Sequence, residues 1–268
     1  MAAIVIIPAR YDSTRFPGKP LSLLKGKPLI QHVYENSKGA RLAEDVIVAT
    51  DSETIFEKVL FFGGRAAMTS AVHPSGTDRI AEVAASLGHD IVVNVQGDEP
   101  LIRPQMIDDV IELLEDSRAS VGTLVKRISK PEEIADPNVV KAVLDKEGFA
   151  LYFSRSPIPY HRDLFCQKPG IEDALTNVVG GAASGFQDLQ TSRLCMFKHI
   201  GIYSYRREVL LLLSKMEQTE LEKTEKLEQL RVLENGMRIR AKETNFETCG
   251  VDTPEDLKRV EQWLSSSL

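Results

Sequence analysis

The sequence predicts an α/β protein built on a parallel sheet, and three observations carry that expectation. Apolar runs at Ala3 to Ile7, Asp45 to Thr50 and Ile91 to Gln96 read as buried strands, and they alternate with segments whose apolar residues recur at helical spacing. Each run ends in residues that interrupt regular structure: Pro8, then Thr50-Asp51-Ser52, then Gly97-Asp98-Glu99-Pro100. The order strand, helix, strand, helix is the rhythm of βαβ units with right-handed crossovers. At 268 residues the chain is long enough to bury a sizeable core, and no internal repeat or low-complexity linker forces a division, so a single domain over 1–268 is expected.

The elements follow in order. Lys25-Gly26-Lys27-Pro28 reads as a turn, and Pro28 starts a helix with Leu29, Ile30, Val33 and Tyr34 on one face. A helix through Ile55, Val59 and Leu60 is stopped by Gly63-Gly64. After a short strand from Ala66 to Thr69, Thr77 is read as the cap of a helix through Ile80, Val83, Ala84 and Leu87. A further helix runs from about Pro104 to Asp116. The second half predicts strands at Val121 to Val125, Val139 to Leu144, Phe149 to Phe153, Phe197 to Tyr205 and Arg238 to Phe246. Helices are expected around Glu208 to Lys215 and from Glu225 to Asn235, the latter stopped by Gly236. Thr253-Pro254-Glu255-Asp256 opens the last helix with a cap, a proline at the first position and an acid at the third.

Composition narrows the function. A net charge of -6 argues against a nucleic-acid or anionic-membrane surface as the main partner. The three cysteines, Cys166, Cys195 and Cys249, are scattered, which fits a reducing compartment and neither a disulfide framework nor a zinc cluster. With Ala3 already in the first strand and no apolar run near the ~20 residues of a membrane span, neither a signal peptide nor a membrane anchor is expected. A cytoplasmic protein is the expectation.

Against that acidic background, the stretch Pro8 to Pro20 stands out. It holds Arg10, Arg15 and Lys19 with Ser13, Thr14 and Gly18, and it follows the first strand, where loops of an open α/β sheet bind ligands. It reads as a polyphosphate-binding loop, with a solvated basic turn as the alternative. Asp98 lies just past the apolar strand Ile91 to Gln96, placed either to hold Mg²⁺ or to cap the helix that follows. Asp252 reads alone as a helix-flanking acid, but a second carboxylate beside Asp98 is what a divalent site needs. Gly76-Thr77 at a helix start could donate N–H groups to a ligand or simply cap. Arg155 could clamp a carboxylate or form a surface salt bridge. His199 and Tyr203 share a strand face. Neither G-x-G-x-x-G after the first strand, nor G-x-x-x-x-G-K-[ST], nor G-x-S-x-G is present, so a dinucleotide oxidoreductase, a P-loop kinase and an α/β-hydrolase are poor readings.

Eight segments taken together are more specific. V-I-I-P-A-R-Y-D-S-T-R-F-P-G-K-P, I-V-A-T-D, H-P-S-G-T-D-R, V-N-V-Q-G-D-E-P, A-L-Y-F-S-R, H-I-G-I-Y, L-E-Q-L-R-V-L-E-N-G and G-V-D-T-P-E-D occur in this order and span almost the whole chain. This set resembles the 3-deoxy-D-manno-octulosonate (Kdo) cytidylyltransferases. The resemblance implies a Rossmann-like nucleotide-diphospho-sugar transferase fold with a mixed, mostly parallel sheet flanked by helices. It implies a homodimer that converts CTP and Kdo into CMP-Kdo and diphosphate with Mg²⁺, for lipopolysaccharide synthesis. Activation of another sugar acid, such as a sialic acid or amino-Kdo, and a non-catalytic nucleotide-binding regulator are the alternatives.

Residue by residue, the resemblance assigns Arg10 and Lys19 to the CTP phosphates, with Ser13 and Arg15 nearby. It places Ser75, Gly76, Thr77 and Arg79 in the cytosine-recognising segment and Gln96 against the nucleoside. Asp98 and Asp252 match the metal-binding aspartates, and Arg155, His199, Tyr203, Glu225 and Gln229 fall in segments lining the sugar pocket. The stretch at about 155–200 corresponds to the dimerisation region. Its part from Asp163 to Met196 is longer than the resemblance leads one to expect.

Overall fold

The computed structural model describes residues 1–12, 16–162 and 196–266. In chain order its strands are β1 (Ala3–Ala9), β2 (Leu23–Leu24), β3 (Lys27–Pro28), β4 (Asp45–Thr50), β5 (Ala66–Met68), β6 (Ile91–Asn94), β7 (Val121–Arg127), β8 (Lys141–Leu144), β9 (Ala150–Ser154), β10 (Phe197–Arg206) and β11 (Ile239–Glu243). The described helices are α1 (Leu29–Lys38), α2 (Glu53–Phe61), α3 (Gly76–Ala85), α4 (Pro104–Glu112), α5 (Glu132–Ala135), α6 (Arg207–Leu213), α7 (Glu220–Glu225), α8 (Gln229–Glu234) and α9 (Pro254–Ser266). The chain divides into two compact units, each assembled from separate stretches: Met1–Gly122, Gly201–Met216 and Phe246–Leu268 in the first, Thr123–Ile200 and Glu217–Asn245 in the second.

The first unit is the predicted βαβ core. β1 lies parallel between β4 and β6, with Ile6 opposite both Ile47 and Asn94, and β5 extends the parallel set beside β4. The last residues of β10 add an antiparallel member next to β6, with Tyr203 opposite Asn94 and Arg206 opposite Ile91. The sheet is therefore mixed and mostly parallel. Residues of β1 from Ala3 to Ile7 are all buried, as a strand covered on both faces requires. In α1 the buried set is Leu29, Ile30, Val33, Tyr34 and Ser37, which is one helical face. Arg207 donates to the carbonyls of Ala84 and Ala85 at 2.8 and 2.9 Å, placing a cation at the C-terminus of α3.

Three loops converge at the carboxyl end of β1. A Cβ on Gly97 would lie 2.8 Å from the Pro8 carbonyl oxygen, and one on Gly76 would lie 3.3 Å from Pro8 Cγ. Gly97 thus allows a backbone approach that no other residue permits without a shift. Gly97→Ala is expected to move the 96–99 segment away from β1 and to destabilise the protein by about 1–3 kcal/mol, read as a lower urea midpoint. An unchanged midpoint would contradict the close packing.

Local structure departs from expectation in several places. Ser75, not Thr77, caps α3: its Oγ accepts from Asp78 N at 3.1 Å, and the preceding Pro74 sets the entry. β6 ends at Asn94, two residues early, although Val95 N still donates to the Ile6 carbonyl at 3.4 Å. Pro28 pairs in β3 and precedes the helix, while Lys25 and Gly26, both at positive φ, close the two-residue hairpin between β2 and β3. The single helix expected from Glu225 to Asn235 is two helices. α7 begins earlier, at a capping box of Thr219 and Glu222, and ends at Lys226 in the left-handed conformation before α8 starts.

The second unit contains β8 and β9 as an antiparallel hairpin, with Lys141 opposite Ser154 and Ala142 opposite Phe153. β8 also pairs antiparallel with the first residues of β10, through Phe197 and Lys198. Lys141 is fully buried; its Nζ donates to the carbonyls of Asp136 at 2.9 Å and Val139 at 2.6 Å, and burial pushes its pKa down. Glu222 and Arg231 make a buried bidentate pair, Nε to Oε2 at 2.8 Å and Nη2 to Oε1 at 2.5 Å.

Candidate active site

The charged centre of the first unit is built on Lys19. Gly18 accepts a left-handed turn, φ 68°, and its N–H donates to the Tyr11 carbonyl at 3.0 Å, which closes the loop after β1 at its base. Lys19 then opens a short 3-10 turn, Lys19–Leu21. Its Nζ donates to Asp98 Oδ2 at 2.6 Å and to Asp252 Oδ1 at 3.1 Å. The two aspartates singled out from distant parts of the sequence therefore meet on one ammonium group.

An apolar cluster beneath them explains why. Leu24, Leu29, Leu101, Val251 and Val260 are buried together, with Phe16, Cys249, Leu257 and Leu264 packed on them. These residues flank Lys19, Asp98 and Asp252 in sequence, so packing them together gathers the three charged groups. Each fully buried side chain of this kind contributes about 1.5–3 kcal/mol. The backbone adds a direct tie, Val251 N to the Asp98 carbonyl at 2.9 Å. Neither aspartate is the cap it might have been. The N-cap of α4 is Arg103, and the start of α9 is closed by Thr253 and Asp256, whose Oδ2 accepts from Asp252 N at 3.1 Å and Thr253 N at 3.0 Å.

Glu99 is an acid beside this centre that sequence reasoning did not single out. Burial, and then the negative charges of Asp98 and Asp252, push its pKa up to about 8, against the opposing pull of Lys19. Its Oε2 is buried with no hydrogen-bond partner among the described residues, and a Cβ on Gly250 would lie 3.3 Å from its Oε1. The Glu99 carboxyl is thus held toward its protonated form by burial and by its two acidic neighbours. The second acid in G-D-E-P was the available signal.

The remaining predicted residues fall as follows. Arg10 is exposed just past β1. Ser75, Gly76 and Thr77 form the start of α3, beside Pro8. Gln96 Nε2 donates to Asn94 Oδ1 at 3.3 Å. Arg79 is buried and ion-paired with Asp51, Nη2 to Oδ2 at 2.6 Å. Ser13 and Arg15, and the long stretch 163–195, lie outside the described residues. Tyr203 belongs to the first unit, its ring 5.9 Å from that of Tyr205.

In the second unit Arg155 and Glu225 are brought together. Glu225 accepts from Ser154 Oγ at 2.6 Å and Arg155 N at 3.0 Å, while the Arg155 side chain donates to the carbonyls of Glu225, Pro137 and Lys226. The guanidinium is engaged in tying the end of β9 to the end of α7. Gln229 is buried at the start of α8. His199 Nε2 lies 3.0 Å from Thr123 Oγ1, with its ring edge-on to Phe153.

Removal of the His199 ring from bulk water pushes its pKa down to about 3. An unfolded histidine titrates near 6.5, so between about pH 6.5 and 3 the unfolded chain binds a proton that the folded one does not. Stability therefore falls as the pH drops through that window, by up to about 1.4 kcal/mol per unit from this group, and is untouched by it above pH 7. Urea unfolding at pH 7 and pH 5 is expected to show a smaller acid loss for His199→Gln than for the parent. Equal losses would contradict the assignment.

Nucleotides bind at the carboxyl ends of parallel strands in sheets of this kind, and cations facing paired carboxylates suit the handling of phosphates. The class is that of a nucleotide-binding α/β transferase. The chain belongs to the cytidylyltransferase family, whose model matches residues 4–239. It is 53% identical over 266 residues to the 3-deoxy-manno-octulosonate cytidylyltransferase of Geobacter metallireducens, covering 99% of this chain and 98% of that one. It is 47% identical over 274 residues to the protein of the same name from Thermodesulfovibrio yellowstonii, covering 99% of each. Among solved structures, CMP:2-keto-3-deoxy-manno-octonic acid synthetase complexed with CTP superimposes with a TM-score of 0.85 at 40% identity, covering 100% of both chains. No helix among the described residues is long and apolar enough to cross a membrane.

Proposed function

We propose that the chain transfers CMP from CTP to Kdo, releasing diphosphate, and that the centre around Lys19 in the first unit is where the phosphates react. The observation that carries this reading is the meeting of Asp98 and Asp252 on Lys19 Nζ at the sheet's ligand-binding rim. The anomeric hydroxyl of the sugar acid attacks the α-phosphorus; a new P–O bond forms as the bond to the diphosphate breaks, and the hydroxyl proton passes to water. There is little covalent work for the protein in such a step, so positioning and charge neutralisation carry the rate. Arg10 and Lys19 offset charge on the departing diphosphate.

The donor set fits Mg²⁺. Asp98 and Asp252 offer two hard carboxylates within reach of one point, where the Lys19 ammonium now sits and from which it would have to withdraw for the ion, and among the described residues no group of three His, Cys, Asp or Glu residues forms a closed protein cage. Mg²⁺ characteristically takes one or two carboxylates and completes its shell with phosphates and water. When bound there it would neutralise phosphate charge and acidify the attacking hydroxyl. Asp98 and Asp252 would hold it, and the Val251–Asp98 backbone tie keeps the two segments that carry them together. On the same reading the enzyme is a cytoplasmic homodimer that activates the sugar acid for lipopolysaccharide synthesis.

Diphosphate release measured with CTP, Mg²⁺ and Kdo, each omitted in turn, tests the reading. Release is expected only in the complete mixture. Equal release with a sialic acid in place of Kdo would overturn the substrate assignment.

A further inference from the structure

Arg79 belongs to the segment assigned to the base, yet its side chain is only 4% exposed and is engaged within the protein. Nη2 donates to Asp51 Oδ2 at 2.6 Å; Nη1 donates to Thr69 Oγ1 and, at 3.4 Å, to the Ser70 carbonyl. Asp51 directly follows β4, Thr69 and Ser70 directly follow β5, and Arg79 lies in the first turns of α3. The guanidinium therefore joins two strand ends to the helix that begins with Ser75-Gly76-Thr77. A second side chain of α3 reinforces it: Glu82 accepts from Ser70 N at 3.0 Å and pairs with His73 Nε2. The loop 69–75 is thus fastened to α3 along its length, and Gly76 is held where a Cβ would lie 3.3 Å from Pro8 Cγ.

The phosphate side of the rim is secured by other means. Its loop is closed by Gly18 N to the Tyr11 carbonyl, and Lys19 is held by the two aspartates over the apolar cluster of Leu24, Leu29, Leu101, Val251 and Val260. The supports of the 69–77 segment and of the Lys19 centre share no side chain named in either network.

We propose that Asp51 and Arg79 form a positioning pair for nucleotide recognition: Asp51 holds the guanidinium, the guanidinium holds Thr69 and Ser70, and Ser75–Thr77 is thereby set for the pyrimidine base without either residue touching it. This rests on the reading of CTP as the substrate and on the resemblance that sets Ser75–Thr77 against its base. Arginine is required because its planar fork reaches three acceptors in fixed geometry, which a lysine ammonium on a flexible stem does not reproduce. Asp51 is required because a buried guanidinium without its counter-ion is strongly disfavoured.

The test compares the parent with Arg79→Lys, Asp51→Asn and Asp51→Glu. It reads KM and kcat for CTP, the kcat/KM preference for CTP over UTP, and inhibition by inorganic tripolyphosphate. In folded variants the KM for CTP is expected to rise by about tenfold or more, with the CTP/UTP preference compressed by a similar factor. kcat should change less than KM, and the tripolyphosphate inhibition constant should stay within about twofold, because the Lys19 side is supported separately. Arg79→Lys keeps the charge against Asp51 and decides the matter if Asp51→Asn does not fold. An unchanged KM and CTP/UTP preference overturns the proposal. So does a parallel loss of tripolyphosphate inhibition and kcat, which marks general distortion, and so does failure of every variant to fold, which makes the pair a folding determinant. A parent that neither binds nor turns over CTP sinks the substrate reading instead, and is recognised before any variant is compared.

Discussion

Replacing Asp98 by asparagine is expected to lower kcat by about a hundredfold or more while leaving the fold intact, because the loss falls on a charge that phosphates and a divalent ion require. Asparagine keeps the shape of the side chain and one oxygen. The backbone tie from Val251 N to the Asp98 carbonyl does not involve the side chain, and Lys19 retains Asp252 at 3.1 Å. The Asp98 side chain is 31% exposed, so a neutral amide there strands no buried group. Thermal melting should therefore stay close to the parent while Mg²⁺-dependent diphosphate release collapses. Near-parental turnover in the asparagine variant would sink the assignment of Asp98 to the reacting centre.

The largest effect on stability is expected at Glu222. Its carboxylate and the Arg231 guanidinium are 4% and 7% exposed and share two hydrogen bonds, so Glu222→Ala takes a bidentate carboxylate away from a buried cation. Breaking such a pair from one side costs about 3–5 kcal/mol. The variant also loses the acceptor for Thr219 N, the reciprocal half of the cap of α7. Urea unfolding should register the loss, and a second variant with both partners replaced by leucine and methionine should regain much of it, since an apolar pair of similar volume carries no stranded charge. A loss below about 1 kcal/mol for Glu222→Ala would show that the pair is not desolvated as described.

Much of the first unit was legible because its strands are apolar on both faces. Ala3 to Ile7 and Ile91 to Val93 admit few other readings at that length between turn residues. Position along those strands then placed Arg10 and Asp98 at the ligand rim without further knowledge. The pairing of Asp98 with Asp252 was not legible from spacing; it depends on Leu24, Leu101 and Val251 packing together, and only resemblance anticipated it. Glu99 escaped notice because its altered acidity comes from burial and from two carboxylates, one of which arrives from the far end of the chain. Arg79 was read toward the ligand through the resemblance alone; its burial is a tertiary fact. The break at Lys226 falls at the very start of the expected helix, and the regular spacing of Leu227, Leu230 and Leu233 after it gives no sign that α8 begins only at Gln229.

The most direct test of the account is a cycle of Asp98→Asn, Asp252→Asn and the double variant, each measured for diphosphate release from CTP and Kdo. Two carboxylates that serve one centre do not contribute independently. The double variant is expected to fall no more than about threefold below the worse single variant. If the two losses multiply instead, Asp98 and Asp252 act separately, and the single centre on Lys19 is contradicted.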